Sequence, residues 1–135
     1  MKEDYVELTF KDKGDFLRGL LILIGKDNNI HEKERKAILE IGLRLGFEKK
    51  FCVDAVNDFL SNQYIDKSSP KFSSIEIAKY FLEQAFHVAK VDKDLHVAEI
   101  KWLSEVAKKN NVNNSWFRKK FLEFSSPSEE LHNNQ

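Results

Sequence analysis

Apolar residues recur at helical spacing along nearly the whole chain. Ile75, Ala78, Leu82, Phe86 and Ala89 fall at i, i+3, i+7, i+11 and i+14, the spacing of one buried helix stripe. Ser73 followed by Glu76 carries the pattern of a capping box at its start. The same periodicity predicts helices over 14–26, 31–46, 48–62, 73–90, 96–111 and 113–125, joined by short polar turns with Asn, Asp or Gly. From Tyr64 to Phe72 the period is broken by Asp66, Ser68, Ser69 and Pro70, which reads as a linker. Tyr5 to Phe10 alternates as a strand would, but a lone strand has no ladder partner, so a docked arm or a helix is expected. The polar tail 126–135 is expected to be disordered. The expectation is one all-α domain, a compact bundle of six or seven helices built from two repeated units, about 14–62 and 73–125.

The two units share more than periodicity. Asp27-Asn28-Asn29-Ile30-His31-Glu32-Lys33-Glu34 returns 65 residues later as Asp92-Lys93-Asp94-Leu95-His96-Val97-Ala98-Glu99. Ile38, Glu40, Ile41 and Phe47 are answered by Leu103, Glu105, Val106 and Val112. A gapless match of this kind is the signature of a duplicated structural unit.

Composition removes several function classes. With 22 basic and 22 acidic side chains in 135 residues there is no global field to steer towards nucleic acid or a membrane surface. The clusters Lys108-Lys109 and Arg118-Lys119-Lys120 splay around their helices and read as solvated faces, so no nucleic-acid partner is expected. Cys52 shares an apolar stripe with Val56 and Phe59 and reads as a small core residue. No secretory signal pattern is recognised, and the longest apolar run, Leu20 to Ile24, falls far short of the ~20 residues that span a bilayer. A cytoplasmic setting without a transmembrane segment is the expectation.

The repeated Asp, His and Glu are where chemistry can concentrate. Glu34 lies at helical spacing with Ile38, Ile41 and Leu45, and Glu99 with Leu103 and Val106, so both carboxylates point inward and each needs a partner. One partner is the backbone: His31 and His96 stand at N-cap positions, and a Glu three residues on accepts from the cap N–H. Asp27 and Asp92 then close their turns through Asx-type bonds. The other partner is a divalent cation, held by Asp27, Asn29 and Glu34 in one copy and by Asp92, Asp94 and Glu99 in the other. Oxygen ligands suit Ca²⁺, Mg²⁺ or Mn²⁺, and an inward His31 or His96 would bring in Zn²⁺. An EF-hand is excluded, because its sixth position is Glu32 or Val97 instead of Gly and its twelfth is Ile38 or Leu103 instead of Glu. A ferritin-like di-metal bundle fits poorly, since the order here is His-x-x-Glu. Glu40 with Arg44 and Glu105 with Lys109 read as exposed i,i+4 pairs. Phe47, Phe51 and Phe59, like Val112, Trp116 and Phe124, read as core, and His87 as a packing histidine. No nucleophile arrangement marks the chain as a hydrolase.

An apolar helix followed by Asp-x-x-Ile/Leu-x-x-x-Glu opening a second helix, twice in an all-helical chain, resembles the TerB-like family of tellurite-resistance-associated proteins. The resemblance covers roughly residues 14–125, with Asn28 and Lys93 where the family motif usually has glycine. It implies an all-helical fold, no enzyme activity, and metal-binding roles for Asp27, Glu34, Asp92 and Glu99. The expected function is therefore a non-enzymatic accessory or stress-response module binding a divalent ion (Ca, Mg, Mn or Zn) through the duplicated loops. The alternative is a helical interaction or oligomerisation module, with a protein partner or a second copy, in which the motif only caps helices.

Overall fold

Thr9 is the residue at which helix begins. Its extended backbone leaves the side-chain oxygen free to accept from the Asp12 N–H at 3.0 Å, while the Asp12 carboxylate accepts from the Thr9 N–H at 3.1 Å. This capping box satisfies two end donors at once and starts the first helix at Phe10, earlier than the apolar period alone predicts. A computed structural model describes residues 7–27, 31–61, 66–90 and 96–125, with only the backbone described for Asp27 and Leu60. Tyr5, Val6 and the tail 126–135 lie outside them.

The described residues form six α-helices: α1 (Phe10–Ile24), α2 (Glu32–Arg44), α3 (Lys49–Ser61), α4 (Ile75–Lys90), α5 (Val97–Lys109) and α6 (Asn114–Ser125), with one 3-10 turn at Gly25–Asp27. No strand occurs among them. Helix starts keep the step seen in the sequence: Phe10 and Ile75, Glu32 and Val97, Lys49 and Asn114. So do the ends of α2 and α5. Gly46 (φ 102°) and Asn111 (φ 60°) adopt the left-handed conformation, and the next residues, Phe47 and Val112, donate back to the Gly42 and Ala107 carbonyls at 3.0 and 2.9 Å. These are Schellman endings, closed by an apolar residue just beyond the left-handed one.

The core forms around α1 and α4, which lie against each other, with the α2–α3 and α5–α6 hairpins to either side. Phe16, Leu20, Leu23 and Ile24 meet Ala78, Phe81, Leu82 and Ala85, all fully buried. Close approach is possible because Gly19 faces the Phe81 ring; a Cβ there would stand 2.7 Å from it. Cys52 is fully buried, as its stripe predicts, and burial raises its thiol pKa, which keeps it protonated and unreactive.

The interhelical segment 66–74 departs from the plain linker read in the sequence. Arg18 donates to the Asp66 and Ser68 carbonyls (3.0 and 2.8 Å), and Lys109 donates to the Ser69 carbonyl at 2.8 Å. Asn110 donates to the Pro70 carbonyl and accepts from the Phe72 N–H. Phe72 is thereby buried against Phe16 and Phe81. Ser73 does not cap α4, because its hydroxyl goes to Asp12 at 2.6 Å; Ser74 caps instead, accepting from the Ile77 N–H at 3.2 Å. Burial alone would raise the Asp12 pKa, but bonds donated by Ser73 and Thr9 outweigh it and hold the carboxyl below its ordinary value. The expected Glu40–Arg44 and Glu105–Lys109 pairs are replaced too: Arg44 reaches Gln84 and Lys109 holds the segment just described.

Candidate functional site

The starts of α2 and α5 carry the repeated motif. His31 (φ −82°, ψ 154°) and His96 (φ −79°, ψ 148°) are extended caps, and their backbone N–H groups donate to Glu34 and Glu99 at 3.1 and 3.0 Å. Both glutamates are fully buried, as their place on the apolar stripe requires. Each carboxylate so takes up an end donor of its helix, and the N-terminal dipole favours its charge. His31 and His96 are half-buried. The side chain of Asp27, and Asn29, Asp92 and Asp94 entirely, lie outside the described residues. Among those described, no three His, Cys, Asp or Glu side chains gather as a metal site needs. His87 is exposed, which corrects its reading as a packing residue.

A different site emerges between α1 and α3. Helices α4 and α6 pack directly on each other, whereas α3 leans on α2 and does not pack closely on α1. Small residues set that lean: a Cβ at Gly42 would stand 2.5 Å from the Cys52 sulfur, so α2 and α3 approach as only a glycine permits. What opens beside α1 is a groove of about 540 Å³. Leu17 and Leu21 form its α1 wall, with Phe51, Ala55 and Phe59 opposite. Phe47 stacks on Phe51 at 5.0 Å between ring centres, and Phe51 stays 52% exposed. Phe10, 84% exposed, marks one end, and the carboxylates of Asp54 and Asp58 run along the α3 edge.

The residues 65 positions further on show what closure requires. Leu21, Cys52, Val56 and Phe59 correspond to Phe86, Phe117, Phe121 and Phe124. The Phe86 ring lies 5.5, 6.3 and 5.6 Å from the other three, a cluster that fills the space between α4 and α6. Gly14 corresponds to Lys79, whose ammonium lies 5.4 Å over Trp116, the counterpart of Phe51. Gly14 itself has nothing within 4 Å of where a Cβ would stand. The α1–α3 face therefore lacks three of the four phenyl rings and the lysine that shields the outer ring.

The chain matches no known family model, no curated protein and no solved structure. Among the described residues no helix is long and apolar enough to cross a membrane. Sequence reading placed Phe51 in the core and Phe10 in a docked arm or a helix; Phe10 opens α1, and both residues line the groove. The signal that finds them is the mismatch between residues 65 positions apart, Gly14 against Lys79 and Cys52 against Phe117.

Proposed function

We propose that the protein is a non-enzymatic helical interaction module that receives an apolar segment of a partner protein in the α1–α3 groove. Gly14 carries this reading. A glycine inside a helix costs about 0.5–1 kcal/mol relative to alanine. No close packing asks for it, since the space above it is open. Its effect is to leave Phe51 bare and the groove floor clear. An apolar surface kept open at a cost to the fold is what a docking site needs.

Titration with a neutral, leucine-rich amphipathic peptide, followed by calorimetry, tests it. Saturable binding to the native chain, lost in Gly14→Trp at a melting temperature no lower than the native chain's, is the expected outcome. Equal binding by both proteins, or none by the native one, contradicts the reading.

The TerB-like resemblance supports a second reading, a module for a divalent metal, favoured by the burial of the Glu34 and Glu99 carboxylates at matching helix starts. Loop oxygens from Asp27, Asn29, Asp92 and Asp94 would complete a hard donor set fitting Ca²⁺, Mg²⁺ or Mn²⁺, and His31 or His96 would extend it to Zn²⁺. Chelator-stripped protein titrated with each ion, beside Asp27→Asn/Asp92→Asn, decides it. Binding that raises the melting temperature and vanishes in the double variant supports the metal reading, and silence with every ion removes it.

A further inference from the structure

We infer that the occupant of the α1–α3 groove is an amphipathic helix of about three turns, with bulky apolar side chains at i, i+4 and i+7 and Lys or Arg flanking that stripe. This rests on the groove reading above and adds the chemistry of the partner.

Backbone hydrogen bonding favours a helix over an extended segment. Both walls are helices whose own N–H and C=O groups are paired, so a strand laid between them would bury polar groups against Leu17, Leu21 and Phe51 without partners. A helix brings its backbone bonds with it. The wall from Phe10 to Leu21 measures roughly 16 Å at helical rise, which sets the length at about three turns. The molecule contains a pattern that fits such a surface: on α6, Phe117, Phe121 and Phe124 stand at i, i+4 and i+7 and cover Phe86. The corresponding α1–α3 face keeps Phe59 but has Cys52 and Val56 in place of the other two rings.

Charge fixes the flank. Asp54 and Asp58 are both exposed along the groove edge. Asp54 pairs with Lys50 at 2.9 Å, an exposed and weak contact, and Asp58 makes no ion pair among the described residues. Arg18, on the opposite wall, is turned to the Asp66 and Ser68 carbonyls and to Asp15. Lys67 also stands 5.9 Å over the Phe59 ring, but the exposed charge along the α3 edge is that of Asp54 and Asp58, so the complement of that edge is basic.

A peptide of residues 113–125 is the probe, because it carries Phe117, Phe121 and Phe124 flanked by Arg118 and Lys120. Fluorescence polarisation of the labelled peptide against the full chain is expected to show saturable binding that falls with salt. Losing the three phenyls in Phe117→Ala/Phe121→Ala/Phe124→Ala should weaken binding by roughly a hundredfold or more. Asp58→Lys in the protein should weaken it by about three- to tenfold, chiefly by slowing association. A charge-reversed peptide, Arg118→Glu/Lys119→Glu/Lys120→Glu, that binds as well as the parent overturns the basic helix while leaving the groove reading intact. If neither this peptide nor the neutral one binds, both readings fall. Self-association of the chain that Gly14→Trp abolishes assigns the groove to a second copy and overturns a separate partner.

Discussion

Two faces of this molecule, α4–α6 and α1–α3, are built from helices that start 65 residues apart, and they differ in how those helices pack and in what fills them. Between α4 and α6, Phe86 is enclosed by Phe117, Phe121 and Phe124, and Trp116 lies beneath the ammonium groups of Lys79 and Lys120. Between α1 and α3, Leu21, Cys52 and Val56 occupy the corresponding positions, α3 nests on α2, and Phe51 faces solvent. The same helix order carries a closed core on one side and an open groove on the other, and the two differ in side-chain volume at a few positions and in which neighbour the outer helix leans on. Periodicity cannot distinguish the two, because Phe51 and Trp116 sit at the same phase of their helices.

The largest test of this contrast is deletion of a ring on each side. Phe86→Ala is expected to destabilise the fold by ~3–5 kcal/mol in urea unfolding, since a fully buried ring leaves a cavity. Phe51→Ala is expected to cost less than about 1 kcal/mol, because much of that ring is already in water. Equal losses would mean that the α1–α3 face is closed like its counterpart.

Next in size is the small-residue contact that holds α3 away from α1. Gly42→Ala places a methyl group against the Cys52 sulfur and should cost ~1–3 kcal/mol as overpacking. A neutral effect would show that the Gly42–Cys52 contact does not set the position of α3.

The first turns of α1 and α4 differ as well: Asp12 stands where α4 has Ile77. Asp12→Asn is expected to cost about 1–2 kcal/mol at pH 7 through weaker bonds to Ser73 and Thr9. The folded carboxyl titrates below its ordinary value of 3.8, so its contribution is complete above that pH and disappears as pH falls through the lower, folded-state value. Melting curves of the two proteins should therefore begin to converge as pH falls below about 4. A difference that persists unchanged there would contradict an ionised Asp12 at this junction.

Gly14→Ala is the smallest effect and has the opposite sign. It should stabilise the fold by ~0.5–1 kcal/mol, since the position is helical and open. A destabilised Gly14→Ala would reveal a packing role for the glycine and remove the argument that it keeps the groove clear.

Much of the fold was legible in sequence because it follows from local rules. Helix periodicity located all six helices, and the phase of Glu34 and Glu99 relative to Ile38 and Leu103 foretold their burial. The early start of α1 was missed although Thr9 and Asp12 spell its cap, because the apolar stripe begins only at Phe16. The ordered segment 66–74 was not legible: its bonds come from Arg18, Lys109 and Asn110, which are distant in sequence and adjacent only after folding. The groove was hidden for a related reason. Phe51 has the phase of a core residue, and its exposure is decided by Gly42, Cys52 and Gly14 on three different helices.

The central claim, that the α1–α3 face receives a helix, is tested most directly by amide and methyl chemical-shift mapping while unlabelled peptide 113–125 is added to the labelled full chain. The account predicts shifts concentrated at Gly14, Leu17, Leu21, Ala55 and Phe59, with α5 and α6 unchanged. Shifts centred on α4 and α6 instead, as the peptide displaced its own counterpart, would contradict it.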